Sequence, residues 1–333
     1  MWQGEDVGAD RALASYIIGL DIGGTKTAVV LGDYGGRIHD RAQFATDPAR
    51  GFDATFADLC RQIEATRAVA TDQRRELAAL SVSIGGPLDI ERGIIYSPPN
   101  LPGWDAIPLK ALLEERFGLP TYVEHDGNAG ALAEWYFGAA RGTRNVIFLT
   151  MGTGLGGGLI LNGQLYRGSS DLAGEVGHMR IAETGPIAYG KAGSWEAFCS
   201  GAGIARLAAL RCPQRWSADQ VTVRELAALA NAGDADALAV LAEAGRYLGR
   251  GLAILIDILN PEVIVIGSLA VRLGDLVLRP AYEEVRREAL PGAVAACRIV
   301  PAALGERIGD VAALCAAIAA RGGPSQLLPN AAI

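Results

Sequence analysis

The sequence has no run of Lys and Arg able to neutralise a row of phosphates: 30 basic against 37 acidic residues leave a formal net charge of −7. Nucleic acid is therefore not an expected partner. There is no C-x-x-C pair. The five cysteines, Cys60, Cys199, Cys212, Cys297 and Cys315, are odd in number and far apart, which argues against a disulfide framework and for the reduced thiols of a cytoplasmic protein. No apolar run reaches the length of a membrane span, since the most apolar stretch, 252–259, is cut by Asp257 and followed by Asn260-Pro261, so a soluble chain with no membrane partner is expected. Residues 1–15 lack the continuous apolar core of a signal peptide. The P-loop pattern G-x-x-x-x-G-K-[ST] is absent as well.

Glycine, in contrast, is abundant. The 43 glycines in 333 residues are nearly twice the average share of about 7%. With half of the chain apolar, the length suits two domains. Residues 16–20 and 27–31 are apolar, β-branched runs on either side of Asp21-Ile22-Gly23-Gly24-Thr25-Lys26, which reads as strand, glycine turn and returning strand. Phe52, Phe56, Leu59 and Ile63 recur on one helical face. Residues 80–84 read as a buried strand ending in Gly85-Gly86-Pro87, and 121–124 as a short strand. His125-Asp126-Gly127-Asn128 forms the junction into an alanine-rich helix over 129–137, where side chains and helix N–H groups both point outward.

The first hairpin is then repeated. Strands over 145–150 and 158–161 flank the glycine-rich residues 151–158 and lead to an Asn162-Gly163 turn. Sliding the chain by 129 positions sets Asp21 on Thr150, Gly23 on Gly152 and Asp33 on Asn162, a weak internal duplication. Helices are predicted over 223–232, 234–259, 274–290 and 308–320, and strands over 262–266 and 298–302. Alternating strands and helices give an α/β class.

Gly152-Thr153-Gly154-Leu155-Gly156-Gly157 satisfies G-x-G-x-x-G, but it runs into a hairpin where a dinucleotide fingerprint opens a helix. Each glycine hairpin is either a tight structural turn or a phosphate cradle, whose bare backbone admits oxygens that a Cβ would block. Two copies in similar strand contexts favour phosphate.

These motifs together resemble the ROK family of bacterial sugar kinases and related repressors. Asp21-Ile22-Gly23-Gly24-Thr25-Lys26 is similar to its first phosphate motif and Gly152-Thr153-Gly154-Leu155-Gly156 to its second. Glu124-His125-Asp126-Gly127-Asn128 resembles the element with the catalytic aspartate, and Glu175-Val176-Gly177-His178 the E-x-G-H sugar motif. The likeness runs from about residue 16 to 320 in the family's order.

The resemblance implies two actin-like (ribonuclease H-like) α/β domains with ATP and a hexose between them. Residues 16–123 and 305–322 would form the first and 124–304 the second, with 1–15 and 323–333 as tails. Asp126 is the expected general base, because a sugar hydroxyl is a poor nucleophile and a carboxylate can take its proton as phosphorus is attacked. An Asp at a strand-to-helix turn otherwise serves as an N-cap, and Asn128 supports the turn. Gly86, Asn100, Glu175, His178 and Glu196 are the implied sugar contacts, beside Asp126. Asp21, Gly23, Gly24, Thr25, Lys26, Gly152, Thr153 and Gly154 are the implied nucleotide contacts. Asp21 is placed near Mg²⁺, and Lys26 offsets phosphate charge. Gly267, after the strand at 262–266, would let the base approach, with residues 245–251 as the adenosine-side helix.

The family's zinc site uses the E-x-G-H histidine and three cysteines. Ile187, Tyr189 and Ser194 stand at the cysteine positions here, and none supplies a thiolate, so no structural zinc is expected. The loop would keep its shape by packing, through Tyr189 and Trp195. The implied reaction is transfer from Mg·ATP to a hexose, with the glucose 6-hydroxyl first and N-acetylhexosamine as the alternative, by a homodimer. A repressor of the family would carry an N-terminal winged helix-turn-helix, for which about 15 residues before the first strand leave no room. A sugar-binding protein without catalysis is the other rival.

Overall fold

The computed structural model describes residues 15–324. The expected tails fall almost wholly outside that range. The chain forms two compact units, one made of the residues up to Phe137 with Gly168–Leu172 and those from Glu306 onward, the other of Gly138–Arg167 and Ala173–Gly305.

The first unit is built on strands β1 (Tyr16–Ile22), β2 (Lys26–Asp33), β3 (Ile38–Ala45), β4 (Leu77–Ile84) and β7 (Thr121–His125), in the order β3-β2-β1-β4-β7. A small ribbon of β5 (Leu88–Asp89) and β6 (Ile94–Ile95) lies between β4 and β7 in sequence. The first three strands are antiparallel neighbours, while β4 and β7 run parallel to β1. Because side chains alternate across a strand, β1 serves two cores. Ile18, Leu20 and Ile22 pack with Leu59 and Ile63 of helix α1 (Gly51–Asp72) and with Leu109 and Leu113 of α2 (Leu109–Phe117). Ile17 faces Leu314, Ala317 and Ile318 of the terminal helix, Ile308–Ala320. Gly19 is required there, since a Cβ would stand 2.9 Å from Leu314 Cδ2.

Helix α3 (Asp126–Phe137) follows β7 directly and packs on the terminal helix. The division between units therefore falls after Phe137 and not at the expected 123/124: β7 is hydrogen-bonded to β4 and holds α3 to the first sheet.

The second unit repeats the plan with β8 (Val146–Met151), β9 (Leu155–Leu161), β10 (Gln164–Tyr166), β13 (Val263–Ile266) and β14 (Arg298–Pro301), in the order β10-β9-β8-β13-β14. Again the first three are antiparallel and the last two parallel to β8. The two sheets thus share order and sense, as the 129-residue offset implied. A two-stranded hairpin, β11 (Ile187–Ala188) and β12 (Lys191–Ala192), precedes helices α4 (Trp195–Cys199), α5 (Gly201–Arg211), α6 (Val223–Asn231) and α7 (Ala235–Leu259). Helices α8 (Ser268–Leu273), α9 (Asp275–Glu288) and α10 (Pro291–Ala296) lie between β13 and β14.

The glycines of α7 have a packing role. A Cβ on Gly245 would lie 2.5 Å from Val277 O, on Gly249 2.5 Å from Ala281 O, and on Gly251 2.0 Å from the Trp195 ring. Their small size lets α7 approach α9 and Trp195, so the segment read as an adenosine-side helix has a structural reason for its glycines. Among the described residues no helix is long and apolar enough to cross a membrane, and the five cysteines are free thiols.

Candidate active site

In the first unit the parallel strands β1, β4 and β7 bring Asp21, Gly85-Gly86 and His125-Asp126 to their carboxyl ends, the edge at which open α/β sheets bind ligands. Asp126 is the first residue of α3 rather than a residue before the helix, and Asn128 lies inside it. A carboxylate in a first turn is favoured by the helix dipole. Its Oδ1 accepts the Gly127 N–H at 2.7 Å and lies 3.4 Å from His125 Nδ1, yet the side chain is 54% exposed, so a substrate can reach it. Asn128 is buried and donates to Glu124 Oε1 at 2.9 Å, the oxygen that also accepts the His125 N–H. It supports the turn, as the sequence suggested.

Asp21 is the electrostatically unusual member. Burial, then the charges of Asp126 and Asp310, lift its pKa from 3.8 to about 6, with Lys26 and Arg41 opposing. Desolvation and like charge both disfavour the ionised form. The Asp21 carboxylate lies so close to the start of the terminal helix that a Cβ on Gly309 would be 2.6 Å from its Oδ2. Arg41 Nε donates to both oxygens of Asp310 at 2.9 Å. Gly309, Asp310 and Arg41 were not legible as site residues, because they are remote from Asp21 in sequence and belong to no motif.

The first glycine turn is closed by the Gly23 N–H on Lys26 O at 3.1 Å and held by Thr46, whose hydroxyl donates to Gly23 O at 2.6 Å. Gly24 lies against the Asn100 loop, where a Cβ would stand 2.5 Å from Asn100 O. Thr25, Lys26 and Asn100 are exposed, as is Gly152 with Thr153 in the second turn.

In the second unit the Gly152 N–H closes its turn on Gly154 O at 3.0 Å, and Gly152 O accepts the Gly201 N–H at 2.8 Å, pinning the turn to the start of α5. Gly267 ends β13 with its N–H on Leu149 O at 2.8 Å, and a Cβ there would lie 2.9 Å from that oxygen. Glu196, in the first turn of α4, accepts the Leu155 N–H at 2.9 Å and the Tyr189 hydroxyl at 2.6 Å through Oε2. Gly154 must be small, because a Cβ would be 2.8 Å from the same oxygen.

Glu175 precedes a 3₁₀ turn at Val176–His178, in which residues three apart lie on one side. Gly177 permits that turn to rest on β9, since a Cβ would be 2.1 Å from Leu155 O. The His178 ring stacks on Tyr189 with centroids 3.5 Å apart. Burial, the bond to Glu196 and the charges of Glu196 and Glu175 together push the Tyr189 phenol well above its usual range. Glu175, His178 and Glu196 are thereby gathered around one tyrosine. The unit thus presents carboxylates and an imidazole, groups that can bond paired hydroxyls.

The positions of the family's zinc cysteines do not fit a zinc ion. Ile187 is 63% exposed and apolar, Ser194 is fully buried with no partner for its hydroxyl, and Tyr189 covers His178. Among the described residues no group of three or more His, Cys, Asp or Glu is arranged to hold a metal.

Comparison with known proteins finds relatives along most of the chain. The sequence profile of the ROK family matches residues 17–320. The chain is 31% identical over 307 residues to a glucokinase of Halalkalibacterium halodurans, covering 89% of this chain and 93% of that enzyme. It superposes with a TM-score of 0.74 and 32% identity on a ROK family glucokinase from Streptomyces griseus in complex with glucose and AMPPNP, covering 90% of this chain and 98% of that one. A xylose repressor of Bacillus spizizenii is 28% identical over 317 residues, 91% of this chain and 79% of the repressor.

Proposed function

Because the chain belongs to the ROK family and is an ATP-dependent sugar kinase, we propose that it transfers the γ-phosphoryl group of Mg·ATP to the 6-hydroxyl of glucose. The observation that carries this reading is Asp126, an accessible carboxylate at the carboxyl end of β7 near the half-buried Asp21. Asp126 accepts the proton of the attacking hydroxyl as the bond to phosphorus forms and the bond to the ADP oxygen breaks. Asn100, Glu175, His178 and Glu196 hold the sugar hydroxyls, and the backbone at Gly86 adds a further contact. Such fixed orientation removes much of the entropic part of the barrier.

The two glycine turns, Gly23-Gly24-Thr25-Lys26 and Gly152-Thr153-Gly154, take the phosphates, with Lys26 offsetting their charge, and Gly267 borders the adenosine. Asp21 stands next to the Mg²⁺ that arrives with ATP. A divalent cation favours its ionised form and relieves the repulsion from Asp126. A cytoplasmic homodimer whose chains each carry two actin-like domains completes the proposal.

The likeness to a xylose repressor favours a second reading, a sugar-binding regulator without catalysis, and an N-acetylhexosamine kinase is the nearest catalytic alternative. A coupled ADP-release assay over glucose, mannose, N-acetylglucosamine and N-acetylmannosamine separates them. Turnover fastest with glucose supports the proposal, turnover fastest with an acetylated sugar replaces glucose, and sugar binding without ADP release favours the regulator.

A further inference from the structure

Tyr189 occupies a position that a tyrosine ordinarily avoids. It and Gly190 are the two central residues of the β11–β12 hairpin, with φ of 53° and 69°. Positive φ at both is the type I′ turn, whose first position is normally Asn, Asp or Gly. A bulky aromatic side chain there is a rare outlier that persists only when its surroundings compensate. The surroundings of Tyr189 do so with sugar-motif residues. Its ring lies on the His178 imidazole at 3.5 Å, and its hydroxyl donates to Glu196 Oε2 at 2.6 Å. From the next strand, Lys191 Nζ donates to His178 O at 2.6 Å. The hairpin is tied down behind them, with Ile181 N and Ala182 N both donating to Gly193 O and Trp195 N donating to Met179 O.

We propose that Tyr189 is a positioning residue that clamps His178 and Glu196 in the sugar-binding arrangement, at a place where the three thiolates that the family's zinc ion needs are replaced by Ile187, Tyr189 and Ser194. The clamp works in two ways. Stacking fixes the plane of the imidazole, and the hydroxyl occupies one lone pair of Glu196 while the Leu155 N–H occupies the same oxygen from the other side. That leaves Glu196 Oε1 as the oxygen offered to a ligand. The phenol is held protonated by burial and by Glu196 and Glu175, so it remains a donor. Tyr189 is 44% exposed, so its replacement leaves the core intact. The sugar half of the inference rests on the kinase reading above, whereas the clamp itself rests only on the packing.

The test uses Tyr189→Asn, which suits the turn better than tyrosine, and Tyr189→Phe, which keeps the stack but removes the hydrogen bond. The three histidines give three imidazole Hε1 resonances, with His178 assigned by its own substitution. A clamp predicts a ring-current shift of the His178 signal in the wild type and in Tyr189→Phe, lost in Tyr189→Asn. It also predicts that Tyr189→Asn weakens hexose affinity about ten- to a hundredfold, since small misplacements cost that much. The KM for ATP should stay within about twofold, and the melting temperature should be unchanged or higher because Asn fits the turn. Tyr189→Phe should fall between. An unshifted His178 resonance in the wild type, or a Tyr189→Asn protein that binds hexose like the wild type, overturns the inference. Equal losses for sugar and ATP with a lowered melting temperature also overturn it, by showing a merely structural residue. If no hexose binds the wild type, the kinase reading fails and the sugar half of this inference with it. The histidine spectrum then still decides the clamp.

Discussion

Asp21 and Asp126 lie close enough that the charge of one helps, after burial, to hold the other protonated near pH 6. The pair comes from the carboxyl ends of β1 and β7, two strands on either side of β4. A raised folded-state pKa means that the folded chain binds a proton more tightly than the unfolded chain. The stability from that proton is present below about pH 4 and is lost as pH rises through about 6. Asp21→Asn should therefore be more stable than the wild type above pH 6, by on the order of 3 kcal/mol, with the difference vanishing below pH 4. Denaturant titrations across that range check it, and a constant difference would contradict the burial argument. The same variant should lose activity with Mg·ATP.

Gly177→Ala tests the close approach of the E-x-G-H turn to β9. The new Cβ would stand 2.1 Å from Leu155 O, a backbone atom that cannot move alone. A loss of about 1–3 kcal/mol is expected from overpacking, together with a raised sugar KM, because Leu155 N also holds Glu196. Chemical denaturation and steady-state kinetics read the two effects.

Gly249→Ala tests the structural reading of the α7 glycines. With Ala281 O at 2.5 Å and Glu284 Cβ at 2.6 Å from the added carbon, stability should fall by about 1–3 kcal/mol. The KM for ATP measured well below the melting temperature should not change. A selective rise in that KM would return the segment to the nucleotide.

The parts of the fold that were legible in the sequence are those fixed by local pattern. The apolar runs around Asp21 and Thr150 became β1, β2, β8 and β9, and the periodic Phe52, Phe56, Leu59 and Ile63 became one face of α1. Three features were hidden for physical reasons. β9 begins at Leu155 rather than 158, because Gly156 and Gly157 are paired to Thr150 and Leu149 of β8 whatever their propensity. α3 begins at Asp126 rather than 129, because Gly127 and Asn128, poor helix formers alone, are carried by Glu124 and by packing. β3 is an edge strand whose half-buried His39 and Asp40 and exposed Arg41 and Gln43 conceal its period. In the site, Asp126, Glu175, His178 and Glu196 could be found by motif. Gly309 and Asp310 act through contacts made only by the folded chain, and no local spacing announces them; Tyr189 was legible as a packing residue of its loop, but not its contacts with His178 and Glu196.

The central claim is that the Asp126 carboxylate removes the proton of a sugar hydroxyl. Its most direct test is the single-turnover rate of Asp126→Asn with Mg·ATP and the preferred hexose, beside the equilibrium affinity for that hexose. The account predicts a rate lower by about 10²- to 10⁴-fold with hexose affinity within a few-fold of the wild type and an unchanged melting temperature. A variant that phosphorylates the sugar at the wild-type rate would contradict it.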